Sequence, residues 1–264
     1  MKKKTWNIII RHVVLAFLAF IWLVPIVWLF VTSLSTVKGV SGKNFFPKHW
    51  TLANYNQLFF HTDTAANFPA WFKNTFIVAL FTCIISSLFV LMVSYAFSCM
   101  RFKGRKKLMS FSIILGMFPG VLSMIAVYFV LKMLGLVDSL AGLIFIYSAG
   151  SGLGFLILKG FFDTIPRTID EAAYIDGATK WDTFTKITIP LSKPIITYTL
   201  ITTFMGPWVD YIFAKVVMGN DTKYYTIAIG LWTMLEKEYV EYFYTQFYAG
   251  CVLISIPIAI LFLL

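Results

Sequence analysis

The chain has 264 residues, 59% of them hydrophobic and 18% aromatic, and only 13% are charged. Soluble domains carry about 25% charged residues, so this balance excludes an ordinary water-soluble enzyme and points to a membrane protein. The net charge of +10 does not indicate nucleic acid, because the basic residues flank apolar runs instead of lining one surface.

Lys2, Lys3, Lys4 and Arg11 precede the first apolar run. They imitate the start of a signal peptide, but Val13–Val31 is too long for one and no small-residue cleavage site follows promptly. The run is read as a retained first span. Crossing a hydrocarbon core takes about 20 apolar residues, and the runs at 13–33, 75–99, 109–133, 140–161, 194–218 and 244–264 meet that length. The expected fold is therefore all-α, a single polytopic domain of six transmembrane helices over 1–264. No charged residue occurs between Asn74 and Met100, whereas Arg101, Lys103, Arg105, Lys106 and Lys107 crowd the link that follows.

Basic residues mark the cytoplasmic side. This places the N-terminus, the 101–107 link, the 163–193 segment and the C-terminus inside, with links 34–74, 134–139 and 219–243 outside. Lys38, Lys43, Lys48 and Lys73 in the first outer link make the asymmetry imperfect. Cys83, Cys99 and Cys251 lie in or beside apolar runs and read as small hydrophobes, while His12, His49 and His61 are dispersed and form no catalytic or metal cluster. The last run ends at Leu264 without a polar flank, which leads us to expect a tail beyond it.

The 163–191 segment is polar although long apolar runs flank it. Pro166 suits the first turn of a helix. Asp170 and Glu171 sit near its N-terminus, where the helix dipole favours carboxylates. Ile169, Ala172 and Ala173 share one face, and Gly177 stands where a left-handed cap is needed. Thr179 and Asp182 approximate a capping box for a second helix, which carries Trp181, Phe184 and Ile187 on one face. Pro190 is expected to end that helix and Pro194 to open the fifth span. Interfacial helices are usually basic on their polar face. This segment has at least as many Asp and Glu as Lys and Arg, which fits docking on a protein better than lying on lipid.

Asp210 is the one acid well inside the fifth span, and intramembrane carboxylates usually face a cavity or a bundle interior. Gly206-Pro207, Pro119-Gly120 and Pro257 are expected weak points in their helices. A pathway for a neutral polar solute needs aromatic faces and hydrogen-bonding groups. The candidates are Ser123, Tyr128, Thr203, Gly206, Pro207, Trp208, Asp210 and Tyr211. The chain has no Walker A pattern, and "GSGLG" at 150–154 lacks the Lys-Ser/Thr, so any ATP hydrolysis belongs to another chain.

Glu171-Ala172-Ala173, then Gly177, then Ile187-Thr188-Ile189-Pro190, resembles the EAA signature of permease subunits of bacterial ATP-binding-cassette importers. "FFPKHWTLANY" (45–55), "FKNT" (72–75), "SYAFS" (94–98) and "LKGFFDTIP" (158–166) are similar to the carbohydrate branch. "FMGPWVDYIF" (204–213) and "SIPIAILFLL" (255–264) are most similar to the smaller six-span permease of maltose/maltodextrin importers.

The resemblance implies a coupling helix over 163–191 that seats in an ATPase subunit through Asp170, Glu171, Ala172, Ala173, Asp176, Gly177, Ala178 and Pro190. It also implies an outer loop reaching a binding protein through Thr222, Tyr225, Thr226, Gly230 and Trp232. The expected function is ATP-driven oligosaccharide import, maltodextrin-like, by alternating access across the bacterial cytoplasmic membrane, with no enzymatic activity in this chain. The implied partners are a second, related permease, two ATPases holding ATP and Mg²⁺, an extracytoplasmic sugar-binding protein, the oligosaccharide and membrane lipid, with no cofactor, metal or nucleic acid in this chain. The alternatives are another sugar class, galacto-, raffinose-type or multiple-sugar, and a secondary transporter without ATPases. The latter calls for paired intramembrane acids and internal repeats.

Overall fold

The computed structural model describes residues 2–37, 39, 45–60, 66–219 and 221–263. Lys38, Lys43, His61 and Leu264 lie outside them. The described residues are helical apart from short links and one isolated bridge, Ser35 to Trp50. In chain order the helices are α1 (Lys2–Ser33), α2 (Ala53–Phe60), α3 (Phe68–Cys99), α4 (Arg105–Gly116), α5 (Gly120–Met133), α6 (Leu140–Gly150), α7 (Phe155–Phe162), α8 (Arg167–Ile175), α9 (Lys180–Asp182), α10 (Ile189–Leu191), α11 (Lys193–Val209), α12 (Ile212–Met218), α13 (Ile227–Thr233) and α14 (Val240–Leu263).

Three stretches are single helices long and apolar enough to cross a membrane: Trp6–Ser33, Phe68–Cys99 and Val240–Leu263. Two further spans are broken. One is α6 with α7, joined by a 3-10 turn over Ser151–Gly154. The other is α11 with α12, bent by 61°. Counting each bent pair as one span gives five by length and composition.

The predicted 109–133 run divides into α4 and α5, because Pro119 is extended (φ −60°, ψ 120°) and caps a new helix instead of continuing the old one. This is the break expected at Pro119-Gly120. The break expected at Gly206-Pro207 falls later: Pro207 lies inside α11, and the chain leaves helical geometry at Asp210 (φ −82°, ψ 107°). Asp210 Oδ1, just ahead of α12, accepts from Phe213 N at 3.0 Å and satisfies a donor of its first turn, so the break falls at the acid instead of at the proline. Pro257 lies within α14 without ending it.

Two compact units can be described separately. In the first, Met1–Pro69 with Gly230–Leu264, α14 packs along α1 and α2. Trp28 meets Tyr248 edge to face with ring centroids 5.1 Å apart. The Asn-Tyr of the "FFPKHWTLANY" stretch is explained here. Asn54 Nδ2 donates to Ser33 O and Ser35 O at 2.8 Å each, and its Oδ1 accepts from Thr245 Oγ1 at 3.0 Å. Tyr55 and Ser33 share a hydroxyl–hydroxyl bond of 2.6 Å. One buried amide thus joins α1, α2 and α14. A Cβ on Gly250 would stand 2.6 Å from Leu231 Cδ2 and 3.3 Å from Phe68 Cε2, so the close approach requires glycine. Most of α1 is bare, and Trp22 is 78% exposed. An apolar helix this bare suits an apolar environment better than water.

In the second unit, Ala70–Ile229, a core of Val90, Tyr95, Leu158, Phe162 and Phe184 ties α3 and α7 to the 183–188 turn. The "FKNT" stretch earns its place through Asn74, whose Nδ2 donates to Lys223 O (2.9 Å) and Tyr225 O (3.1 Å). Thr75 Oγ1 accepts from Ile227 N at 2.7 Å.

Candidate functional site

The 163–191 segment is two short helical pieces around an elbow. In α8, Pro166 is extended and sits at the N-cap, and the missing proline N–H is not needed there. The helix ends at Asp176, and Gly177 takes φ +84°. Gly177 N donates to Tyr174 O (3.1 Å) and Ala178 N to Ala173 O (2.9 Å). These two bonds form a Schellman cap, which requires a left-handed residue at Gly177. The next piece starts with the expected capping box: Asp182 N donates to Thr179 Oγ1 and Thr179 N to Asp182 Oδ2, each at 3.1 Å. Lys186 Nζ, 2.7 Å from Asp182 Oδ1, together with the bonds from Thr179, holds the Asp182 carboxyl well below the usual carboxylate range.

Two expectations for this segment need correction. Pro190 does not end the second helix. Thr183–Thr188 widens into a π-turn, and the chain runs through Pro190 to Leu191. A widened turn moves its carbonyls away from the proline ring and leaves no use for the missing N–H. Pro194 does fall in the first turn of α11. The second correction concerns the covered face of α8. Ile169, Ala172 and Ala173 share a face by their spacing, but the chain's own core covers only Ala173, with Asp170 half-buried, while Ile169, Ala172 and Ile175 are exposed. In the second piece Phe184 is buried, Ile187 is half-buried, and Trp181 points out. The exposed apolar set is led by Ile175 at 86% and Trp181 at 66%.

The end of α3 holds both sides of the elbow. Before it, Ser98 Oγ donates to Asp163 Oδ1 at 2.6 Å, and Lys159 Nζ bonds the other carboxylate oxygen. Beyond it, Tyr95 Oη donates to Lys180 O at 3.1 Å, with its ring 4.7 Å from that of Phe184. Burial opposes the charge on Asp163, but the bonds from Lys159 and Ser98 outweigh it and hold its carboxyl below the usual value. Burial raises the Asp170 carboxyl, with Arg167 opposing and Glu171 reinforcing. Under α8 lies a cavity of about 460 Å³ lined by Arg101, Arg105, Asp170, Glu171, Tyr174 and Lys180 among others. Sequence reasoning placed Arg101 and Arg105 in a separate link and did not join them to the segment; no local signal could have done so.

Of the pathway candidates, Thr203, Gly206, Pro207 and Asp210 line a single cavity of about 330 Å³, together with Thr82, Ser86, Tyr147, Ser151 and Thr202. Ser123, Tyr128, Trp208 and Tyr211 are not among its lining. Trp208 is buried against Phe72 and Phe204, and Ser123 Oγ bonds Pro119 O at 3.5 Å. Of the outer-loop candidates, Tyr225, Thr226 and Gly230 are buried, which leaves Thr222 and Trp232 exposed.

The family model described as "Binding-protein-dependent transport system inner membrane component" matches residues 96–264. The galactooligosaccharides transport system permease protein GanQ of Bacillus subtilis is 33% identical over 98% of this chain and 90% of its own. The maltodextrin transport system permease protein MdxG of the same organism is 34% identical over 82% and 76%. The maltose/maltodextrin permease MalG of Photorhabdus laumondii is 32% identical over 99% and 92%. Among solved structures, a chain of a bacterial ABC transporter involved in the import of the acidic polysaccharide alginate superposes with a TM-score of 0.78, covering 96% of this chain and 93% of that one. Its identity of 22% makes this a likeness of fold. With family model and relatives in agreement, the chain is a multi-pass membrane protein belonging to the family of inner-membrane components of binding-protein-dependent transport systems, among the sugar permeases of ATP-binding-cassette importers.

Proposed function

We propose that this chain is one of two permease subunits of an ATP-driven importer of neutral oligosaccharides. It crosses the membrane six times with both ends inside, counting α4 with α5 as the sixth span, and the whole chain acts as one permease domain. The 163–191 segment faces the cytoplasm and seats in a partner ATPase that holds ATP and Mg²⁺. A related second permease completes the pathway. An extracytoplasmic binding protein delivers the sugar to the 219–243 loop, where Thr222 and Trp232 are the exposed candidates for contact.

One observation carries this reading. The elbow turns its apolar residues, Ile175 and Trp181, away from its own chain while α3 anchors it on both sides. An exposed apolar patch on a rigidly held projection fits a protein cleft better than water. When ATP closes the ATPases, the elbow would be carried with them and would draw α3 along, tipping the spans from inward-open to outward-open.

Maltodextrin is the substrate first expected from the "FMGPWVDYIF" stretch. The likeness to a galactooligosaccharide permease supports galacto-oligosaccharides as the second candidate. The deciding experiment reconstitutes the chain with its partner permease, ATPases and binding protein in vesicles. Maltotriose and galactotriose are then compared for binding-protein-dependent, ATP-driven uptake. Uptake that persists without ATP and collapses with an ionophore would instead establish a secondary transporter.

A further inference from the structure

Resting on that permease reading, we propose that the cavity between α3, α6 and α11 is a subsite of this chain for the hydroxyl groups of a neutral sugar. Three helices converge on it, and each presents a pair one turn apart: Thr82 and Ser86 from α3, Tyr147 and Ser151 from α6 and the turn after it, Thr202 and Gly206 from α11. Residues at i and i+4 share a helix face, so three polar stripes meet at one place. Asp210 closes one end, one further turn along the α11 stripe.

The hydroxyls of Thr82 and Ser86 are the telling feature. Both residues are buried, and neither hydroxyl has a hydrogen-bond partner among the described residues. A lone hydroxyl in an apolar helix normally bonds the carbonyl one turn back. On the same helix Ser94 does so to Val90 O at 2.6 Å and Thr75 to Trp71 O at 2.9 Å. Thr202 and Thr203 do so on α11. Thr82 and Ser86 depart from this pattern where they line the cavity, and a buried unpaired hydroxyl is expensive unless a ligand satisfies it.

The charge pattern selects the ligand. Among the described residues of the lining Asp210 is the only carboxylate, and none is Lys, Arg or His. Its carboxylate is aimed by Tyr147 Oη (2.8 Å to Oδ2) and by Phe213 N (3.0 Å to Oδ1), so it acts as a fixed acceptor for sugar hydroxyls. A uronate or phosphate would meet like charge with no cation to offset it. The superposable alginate importer is described as handling an acidic polysaccharide; the lining here suits the opposite class.

The test uses the complete importer in vesicles, with binding protein saturating so that delivery does not limit. Maltotriose, galactotriose, their monodeoxy analogues and trigalacturonate are the probes. For whichever neutral trisaccharide wild type imports, Thr82→Val and Ser86→Ala should each lower its uptake about two- to tenfold, the range for losing one hydrogen bond. Uptake of the matching deoxy analogue should fall less. An equal fall for both sugars, no fall at all, or wild-type import of trigalacturonate at the neutral rate would overturn the subsite. Should either variant fail to assemble, the unmodified importer is labelled with a diazirine-bearing form of the same trisaccharide. Label on residues 82–86 or 202–210 supports the subsite, and label confined to the other permease overturns it. Absence of any ATP-driven sugar uptake by wild type would remove the permease reading itself, whereas failure of the subsite alone leaves that uptake intact.

Discussion

The hydroxyl of Tyr95, near the end of α3, donates to the main-chain carbonyl of Lys180, 85 positions further along the chain and just past the elbow. Together with the Ser98–Asp163 bond it makes the end of α3 the mount of the 163–191 segment. Tyr95→Phe keeps the ring against Phe184 and removes the hydroxyl, with its bond to Lys180 O, worth about 0.5–1.5 kcal/mol, and its side-chain contact with Tyr174. We expect Tyr95→Phe to assemble normally but to hydrolyse more ATP per sugar imported, measured as the ratio of the two rates in vesicles. An unchanged ratio would show that force does not pass through this bond.

At the elbow itself, a Cβ on Gly177 would meet nothing within 4 Å, so the cost of a substitution there is conformational and not steric. For a β-branched residue at positive φ that cost is about 1–2 kcal/mol, and Asn tolerates the same geometry well. The exposed Glu171 offers an ion pair worth about 0–1 kcal/mol. Sugar-stimulated ATPase and uptake should therefore be uncoupled most by Gly177→Val and less by Glu171→Ala, with Gly177→Asn close to wild type. Equal defects in all three would refute the ranking.

Lys159 is 8% exposed and depends on Asp163 for its counter-charge. Asp163→Ala strands a buried ammonium and should destabilise by about 2–3 kcal/mol, whereas Lys159→Met leaves a partly exposed carboxylate still bonded to Ser98 and should cost less. Thermal unfolding of the purified complex separates the two. The native Asp163 carboxyl titrates below its ordinary value of about 4, so its stabilisation is full above that pH and is lost as pH falls through the lower native value. Ser98→Ala should move this acid limb to higher pH.

Asn74 stands between two carbonyls with only donors to offer them. Asn74→Ala should destabilise the loop start by about 1–3 kcal/mol, and Asn74→Asp by more, since a carboxylate beside two carbonyls is repelled. Limited proteolysis within 219–226 should rise in the order wild type, Ala, Asp. Equal cleavage in all three would mean that the amide does not hold this loop.

The sequence by itself determined everything set by neighbours a few residues apart. The apolar runs, the cap at Gly177, the capping box of Thr179 and Asp182, the break at Pro119 and the helix start at Pro194 all follow from local backbone chemistry. The tertiary structure decided what depends on which helix lies opposite. Periodicity placed Ile169, Ala172 and Ala173 together, yet only Ala173 is covered, because apolar spacing is the same whether lipid, a partner or the chain's own core waits on that side. The clasp from Tyr95 and Ser98 and the convergence of Thr82, Ser86, Tyr147 and Thr202 join elements that lie 55 to 120 positions apart in the chain. A polar residue in a greasy run looks alike on paper in every case; packing alone determines whether its hydroxyl turns back to its own helix or stays unpaired beside a cavity.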